Sequence, residues 1–413
     1  MLKYQELINK LTDAQKIRIL TGAGKLTGKD MKVLGLKSAI VGNMKDFKRE
    51  RYPSITALAH SFDRGLLYGV AEERLIEMQR AGVSLFVVQG PKTKLCPFRR
   101  EISEDPFLAA AISAECVRPV AERGLVAALS GYYLTSSDAD WLDEEPNEQI
   151  LRDFVEKPYR NVISAGGAAV VTETRVPTEA YRNACRHLQE EIAEDTRFLV
   201  CERASGSNTV DLISRGVVCL EASSNALDSA FTNYKRLKNE IETGEGANPE
   251  VLNEALANNT AITEEAINAT LDKTLDLIFS CAAVPKPPTE VKDREGLPMA
   301  ATLASAVLLK NEGALPLDDS KKIALIGDIL HGEEGEPPLE SCRFRLAMRG
   351  YTCVGTARGY DMTSIHDEQH FGEALALCQK ADTVVLFLGF GYETERRIPK
   401  TESLTLPPNQ LLL

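Results

Sequence analysis

Residues 197–206 read RFLVCERASG. An apolar run, Phe198-Leu199-Val200, breaks off at Cys201, Glu202 and Arg203, and a Ser/Gly loop follows. A strand that is apolar at successive positions, without alternation, is buried on both faces, as in parallel sheets covered by helices. The polar break then marks the strand's carboxyl end, the rim at which barrels of this kind place their functional groups. Glu202 is thus a candidate for chemistry, set against the plainer reading of a charge that opens a surface loop.

The same signal recurs on either side of this stretch. Strand-like runs fall at 38–42, 83–90, 125–133, 168–174 and 217–222, and amphipathic helices alternate with them at 64–82, 106–124, 147–166, 179–194 and 208–216. At least six such units favour a (β/α)8-type barrel over a two-layer fold. Residues 226–283 are helical and capped, at Asn248-Pro249 and Thr263-Glu264, and would close the barrel. A Pro-rich, charged stretch at 284–298 reads as a linker. Beyond it a second α/β pattern begins. The expected fold is therefore α/β, a TIM-like (β/α)8 barrel over 1–283 followed by an incomplete α/β sandwich domain over 299–413. The final LPPNQLLL reads as the start of a helix. On that reading either the chain is a fragment, or a homo-oligomer contact or a partner chain would cover the remaining sheet edge.

Composition narrows the function classes. The 413 residues carry a net charge of −12, which argues against non-specific binding to nucleic acid or an anionic membrane surface. No apolar run approaches the ~18 residues needed to span a bilayer. Nine cysteines lie scattered without CxxC or Cys/His spacing, so reduced thiols in the cytoplasm and no metal centre are expected. The amphipathic start, MLKYQELINKLTDAQK, has no signal-peptide core. GAGKLTG at 22–28 lacks the spacing of a phosphate loop and follows a helix rather than a strand, and no cofactor is expected.

Several ordered motifs on these elements resemble glycoside hydrolase family 3, the β-glucosidase-like exo-glycosidases. LTDAQKIRILTG is similar to the family's opening helix, and CPFRREISEDPFLAA to its loop ending in Ser-Glu-Asp-Pro. RFLVCERASGSNTVDLISRGVVCLE stands where the family carries its nucleophile strand. ASAVLLKNEGALPLDDSKKIALIGD is similar to the entrance of its second domain, and GYETERRIPKTESLTLPPNQ to the loop that brings an acid/base carboxylate. The resemblance implies retaining hydrolysis of an oligosaccharide or an aryl or alkyl β-glycoside at a terminal non-reducing sugar. One carboxylate attacks the anomeric carbon, and another protonates the leaving oxygen and then activates water. It places the nucleophile at Glu202 and the acid/base at Glu395, with Asn43, Arg99 and Thr172 as groups that bind the sugar.

The sequence also departs from the family pattern. Glu202 replaces an Asp, and Arg203, which would pair with Glu202, replaces a Trp. Asn43 stands where an Asp is usual, and Ser130-Gly131 where a Lys-His pair is usual. Charge-assisted bonds to sugar hydroxyls are lost with the last two changes. A catalytically silent relative that binds a sugar or a protein partner at the barrel mouth is the alternative these departures raise.

Overall fold

The computed structural model describes residues 2–36, 52–91, 102–103, 105–130, 149, 152–171, 192, 195–201, 203–243, 262–283, 296–328, 338–361, 370–389 and 405–413. Two compact units divide between Val307 and Leu308.

The first unit opens with α1 (Gln5–Lys10), α2 (Asp13–Gly22) and α3 (Gly28–Val33). The break between α1 and α2 has a local cause. Thr12 and Gln15 form a capping box, in which the Thr12 hydroxyl takes the Gln15 amide proton and the Gln15 side chain takes that of Thr12. Next come α4 (Ile55–Ala59) and the long α5 (Arg64–Arg80). Asp63 caps α5 by accepting from the Leu66 amide at 2.9 Å, and Gly82, at φ 85°, ends its last turn.

Strands and helices then alternate as expected. They are β1 (Leu85–Gln89), α6 (Pro106–Glu122), β2 (Val126–Ser130), α7 (Lys157–Ser164), β3 (Ala169–Val171), β4 (Phe198–Cys201), α8 (Gly206–Ser214) and β5 (Val218–Cys219). All four pairings are parallel, and each strand lies beside the one before it in the order β1-β2-β3-β4-β5. This single direction of winding is barrel-like. The strands are buried throughout: Leu85, Phe86, Ala127, Ala128, Val170, Val200 and Val218 have no exposed surface. The expected helix over 147–166 contains a π-helical turn at Arg152–Glu156 before α7. The expected strand at 38–42 and, apart from Ile192, the expected helix at 179–194 fall outside the described residues.

Two further helices, α9 (Ser224–Thr243) and α10 (Glu264–Ala282), pack with α2 and α8 around β5. Helix α11 (Leu297–Ala304) also belongs to this unit. Its Ala301 is fully buried with Tyr52, Leu58, Leu67 and Ile112. The sequence reading began the second domain at 299, whereas the structural division comes after Val307.

The second unit is an α/β sandwich built on three parallel strands, β6 (Lys322–Ile326), β7 (Thr352–Ala357) and β8 (Thr383–Leu386), with α12 (Pro338–Met348), α13 (Phe371–Cys378) and the short α14 (Pro408–Leu412). The strand order is β7-β6-β8, so the winding reverses after β7, as in doubly wound sheets. Ile323, Leu325 and Ile326 supply its buried centre. The molecule thus has a TIM-barrel-like α/β unit followed by an α/β sandwich unit. Among the described residues no helix is long and apolar enough to cross a membrane.

Candidate active site

The carboxyl ends of the first sheet form a rim whose backbone is tightly fixed. At the β1–β2 side, the Ser130 carbonyl accepts two hydrogen bonds, from the Gly90 amide at 3.0 Å and from the fully buried Tyr159 hydroxyl at 2.7 Å. A Cβ on residue 90 would stand 2.4 Å from that hydroxyl and 2.5 Å from that carbonyl, so the rim closes only over a glycine.

At the β4–β5 side the two strands end together, with Cys201 in register with Cys219. The Leu220 amide donates to the Cys201 carbonyl at 2.9 Å, and the Ala204 amide donates to the Glu221 carbonyl at 2.8 Å. The chain is therefore anchored immediately before and after position 202. On the other side of β5, the Gly24 amide donates to the Leu220 carbonyl at 2.9 Å. GAGK thus forms a short 3-10 turn against the strand end, and that amide is committed to the carbonyl of Leu220.

The charges at this rim follow from that geometry. Glu221 projects beyond β5 and accepts from Lys25 Nζ at 2.7 Å and Arg203 Nη2 at 3.4 Å. The Lys25 contact, helped by the positive field of Arg203, holds the Glu221 carboxyl below the usual carboxylate range. Arg203 keeps 79% of its side-chain surface exposed, so its long contact is a weak one. Beneath them, the hydrogen bond with Cys201, together with burial, pushes the Cys219 thiol far above its ordinary value. Neither cysteine is in a disulfide, and Cys219 is a neutral thiol in an apolar layer rather than a nucleophile.

Each residue singled out in the sequence has a definite place along the chain. Glu202 lies between the described Cys201 and Arg203 but itself falls outside the described residues, as do Glu395, Asn43, Arg99 and Thr172. Thr172 follows Val171, the last residue of β3, and Val171 is in register with Val200 of β4. The sites that bracket Thr172 and Glu202 therefore belong to neighbouring strand ends. The partner expected for Arg203 was Glu202; the contact seen among the described residues is Glu221. Sequence reasoning missed Glu221 and Lys25. Glu221 carries the same signal as Glu202, a carboxylate at the end of an apolar strand. Lys25 is announced by nothing local.

This architecture, a parallel barrel-like unit leading into an α/β sandwich, is that of solved β-glucosidases. The chain superposes on the glycoside hydrolase family 3 β-glucosidase of Bifidobacterium adolescentis with a TM-score of 0.70 at 19% identity, covering 98% of this chain and 61% of that one. It superposes on a Listeria innocua β-glucosidase solved with glucose with a TM-score of 0.67 at 18% identity, covering 99% and 67%. In sequence it is 26% identical over 383 residues to the thermostable β-glucosidase B of Acetivibrio thermocellus, 87% of this chain and 48% of that protein. The chain thus spans about half the length of that curated relative. No family model matches it. The fold is that of glycoside hydrolase family 3, and the chain is β-glucosidase-like.

Proposed function

We propose that the chain is a glycoside hydrolase of the β-glucosidase type, removing terminal non-reducing β-linked sugars with retention of configuration. The observation that carries this reading is the likeness to β-glucosidase B, which extends over both units. The relatives are named for glycosidase activity, which supports the hydrolase reading over the silent alternative.

Glu202 is the nucleophile in this reading, and the anchored strand end around it supports that role. A chain whose backbone is fixed at Cys201 and Ala204 needs less reorganisation to present a group at position 202. Retaining chemistry needs a pair of carboxyl groups about 5–5.5 Å apart, and Glu395 is the acid/base in this reading. The nucleophile must be ionised and the acid protonated. Lys25 and Arg203 contribute positive charge to this rim, where both pair with Glu221. Asn43, Arg99 and Thr172 hold the sugar hydroxyls. The substrate is an oligosaccharide or an aryl or alkyl β-glycoside. We place the protein in the cytoplasm; the free thiols Cys201 and Cys219, in register on adjacent strands, suit a reducing compartment.

The test is hydrolysis of aryl β-glucosides and β-xylosides by wild type, Glu202→Gln and Glu395→Gln. Glu202→Gln should lower kcat on the order of 1000-fold or more. Glu395→Gln should cost about 100- to 10,000-fold on poor leaving groups and much less on activated ones. Turnover indifferent to both changes would overturn the assignment.

A further inference from the structure

A cavity of about 210 Å³ lies inside the first unit, walled by α4, α5, β1 and α6. Phe86 and Val88, alternate residues of β1, contribute one wall, and Leu67, Val70, Leu75 and Met78 of α5 the opposite one. It sits between the sheet and its helices, distinct from the β4–β5 rim that brackets residue 202.

One cation, Arg74, lines this mostly apolar space together with the polar Ser54, Thr56 and Gln89. Arg74 of α5 lines the cavity half-buried, its guanidinium carbon 5.9 Å from the centre of the Tyr52 ring. No carboxylate among the described residues lies within ion-pair distance of it. Three acidic groups of α5 and α6 have cationic partners other than Arg74. Glu115 takes Arg64 and Arg118, Glu72 takes Arg123, and Glu122 takes Arg118 and the Tyr68 hydroxyl. Cys116, which also lines the cavity, supplies no anion, because burial pushes its thiol up to about 12. Tyr52 packs in the same apolar cluster as Leu58, Leu67 and Val70, and its buried hydroxyl has no hydrogen-bond partner among the described residues. A half-buried guanidinium that lines a cavity with no carboxylate beside it among the described residues is an arrangement that invites an anionic ligand.

We propose that this cavity binds a small monocarboxylate with an apolar body, the carboxylate on Arg74 and the body between α5, β1 and α6. Arginine is suited to the role because its planar fork meets a carboxylate with two parallel bonds. The size fits. An apolar cavity of about 150 Å³ holds benzene, so this one accommodates a single ring with a short acid arm. The proposal does not depend on the glycosidase reading.

The test is calorimetric titration of the full chain with phenylacetate and, as the neutral control, toluene. Phenylacetate should bind wild type at least tenfold more tightly than toluene, and added salt should weaken only phenylacetate. Arg74→Met should weaken phenylacetate at least tenfold and leave toluene unchanged. Arg74→Lys, which keeps the charge but loses the fork, should fall between and covers the case in which Arg74→Met fails to fold. Ala71→Phe, which fills the cavity from α5, should abolish binding of both. Phenylacetate binding no tighter than toluene, undiminished by the Arg74 variants, or absent from wild type would overturn the proposal.

Discussion

At the scale of single residues, Gly90 is the position where the rim of the first sheet tolerates least. Its missing Cβ is the space taken by the Tyr159 hydroxyl and the Ser130 carbonyl, and both are part of one hydrogen-bonded junction. Gly90→Ala must displace a fully buried tyrosine or a strand end. A loss of about 1–3 kcal/mol is expected, read as a lower urea midpoint with unchanged slope. An unchanged midpoint would mean that Tyr159 yields at no cost. In the sequence Gly90 only marks the end of an apolar run. Its constraint comes from residues 40 and 69 positions further on, Ser130 and Tyr159. Glu202 was legible for the opposite reason: an apolar run broken by a carboxylate is a local signal. The same signal at Glu221 was passed over, and its two cations come from distant parts of the chain, Lys25 and Arg203.

At the scale of elements, helix starts were the most legible feature, since a cap is chemistry between residues two or three apart. Asp105 accepts from the Phe107 amide at 2.9 Å with Pro106 in the first helical position of α6. Thr263 accepts from the Ala266 amide at 3.1 Å at the start of α10, where Glu264 and Glu265 also face the positive end of the helix dipole. Thr263→Ala should destabilise the protein by about 1 kcal/mol, and Thr263→Ser much less. Equal losses from both in thermal unfolding would show that the methyl group, not the hydroxyl, matters there. The placement of α11 was less legible. A Pro-rich stretch before it reads as a boundary, but Ala301 is small enough to let α11 pack closely in the cluster formed by α4, α5 and α6. Which unit a helix joins depends on the surface it meets, and that surface is assembled from remote sequence.

At the scale of the whole molecule, charge sets how stability varies with pH. Asp30 accepts from Arg18 Nε at 2.5 Å and from both the amide and the hydroxyl of Thr27 at 2.7 Å. The Arg18 contact comes first among the causes that lower its carboxyl to about 2. The folded value lies below the unfolded one, so protons bind the unfolded chain more tightly. The stabilisation is fully present above about pH 4 and is lost as pH falls through the folded value near 2. The midpoint difference between wild type and Asp30→Asn should therefore be largest near neutral pH and shrink steadily below pH 4. A difference that stays constant from pH 7 to pH 2 would rule out this ion-pair origin.

The sequence by itself determined the fold class and the order of elements. Strands buried on both faces must be apolar throughout, amphipathic helices must repeat near 3.6 residues, and caps and glycine stops act over a few residues. Each of these can be read in a short window. The tertiary structure alone decided which groups meet. It put Lys25 and Arg203 on Glu221, set Tyr159 under Ser130 at Gly90, and left Arg74 lining a mostly apolar cavity. The physical reason is that contacts between distant segments are fixed by packing and by competition for a limited set of partners, and neither is written in the local order of residues.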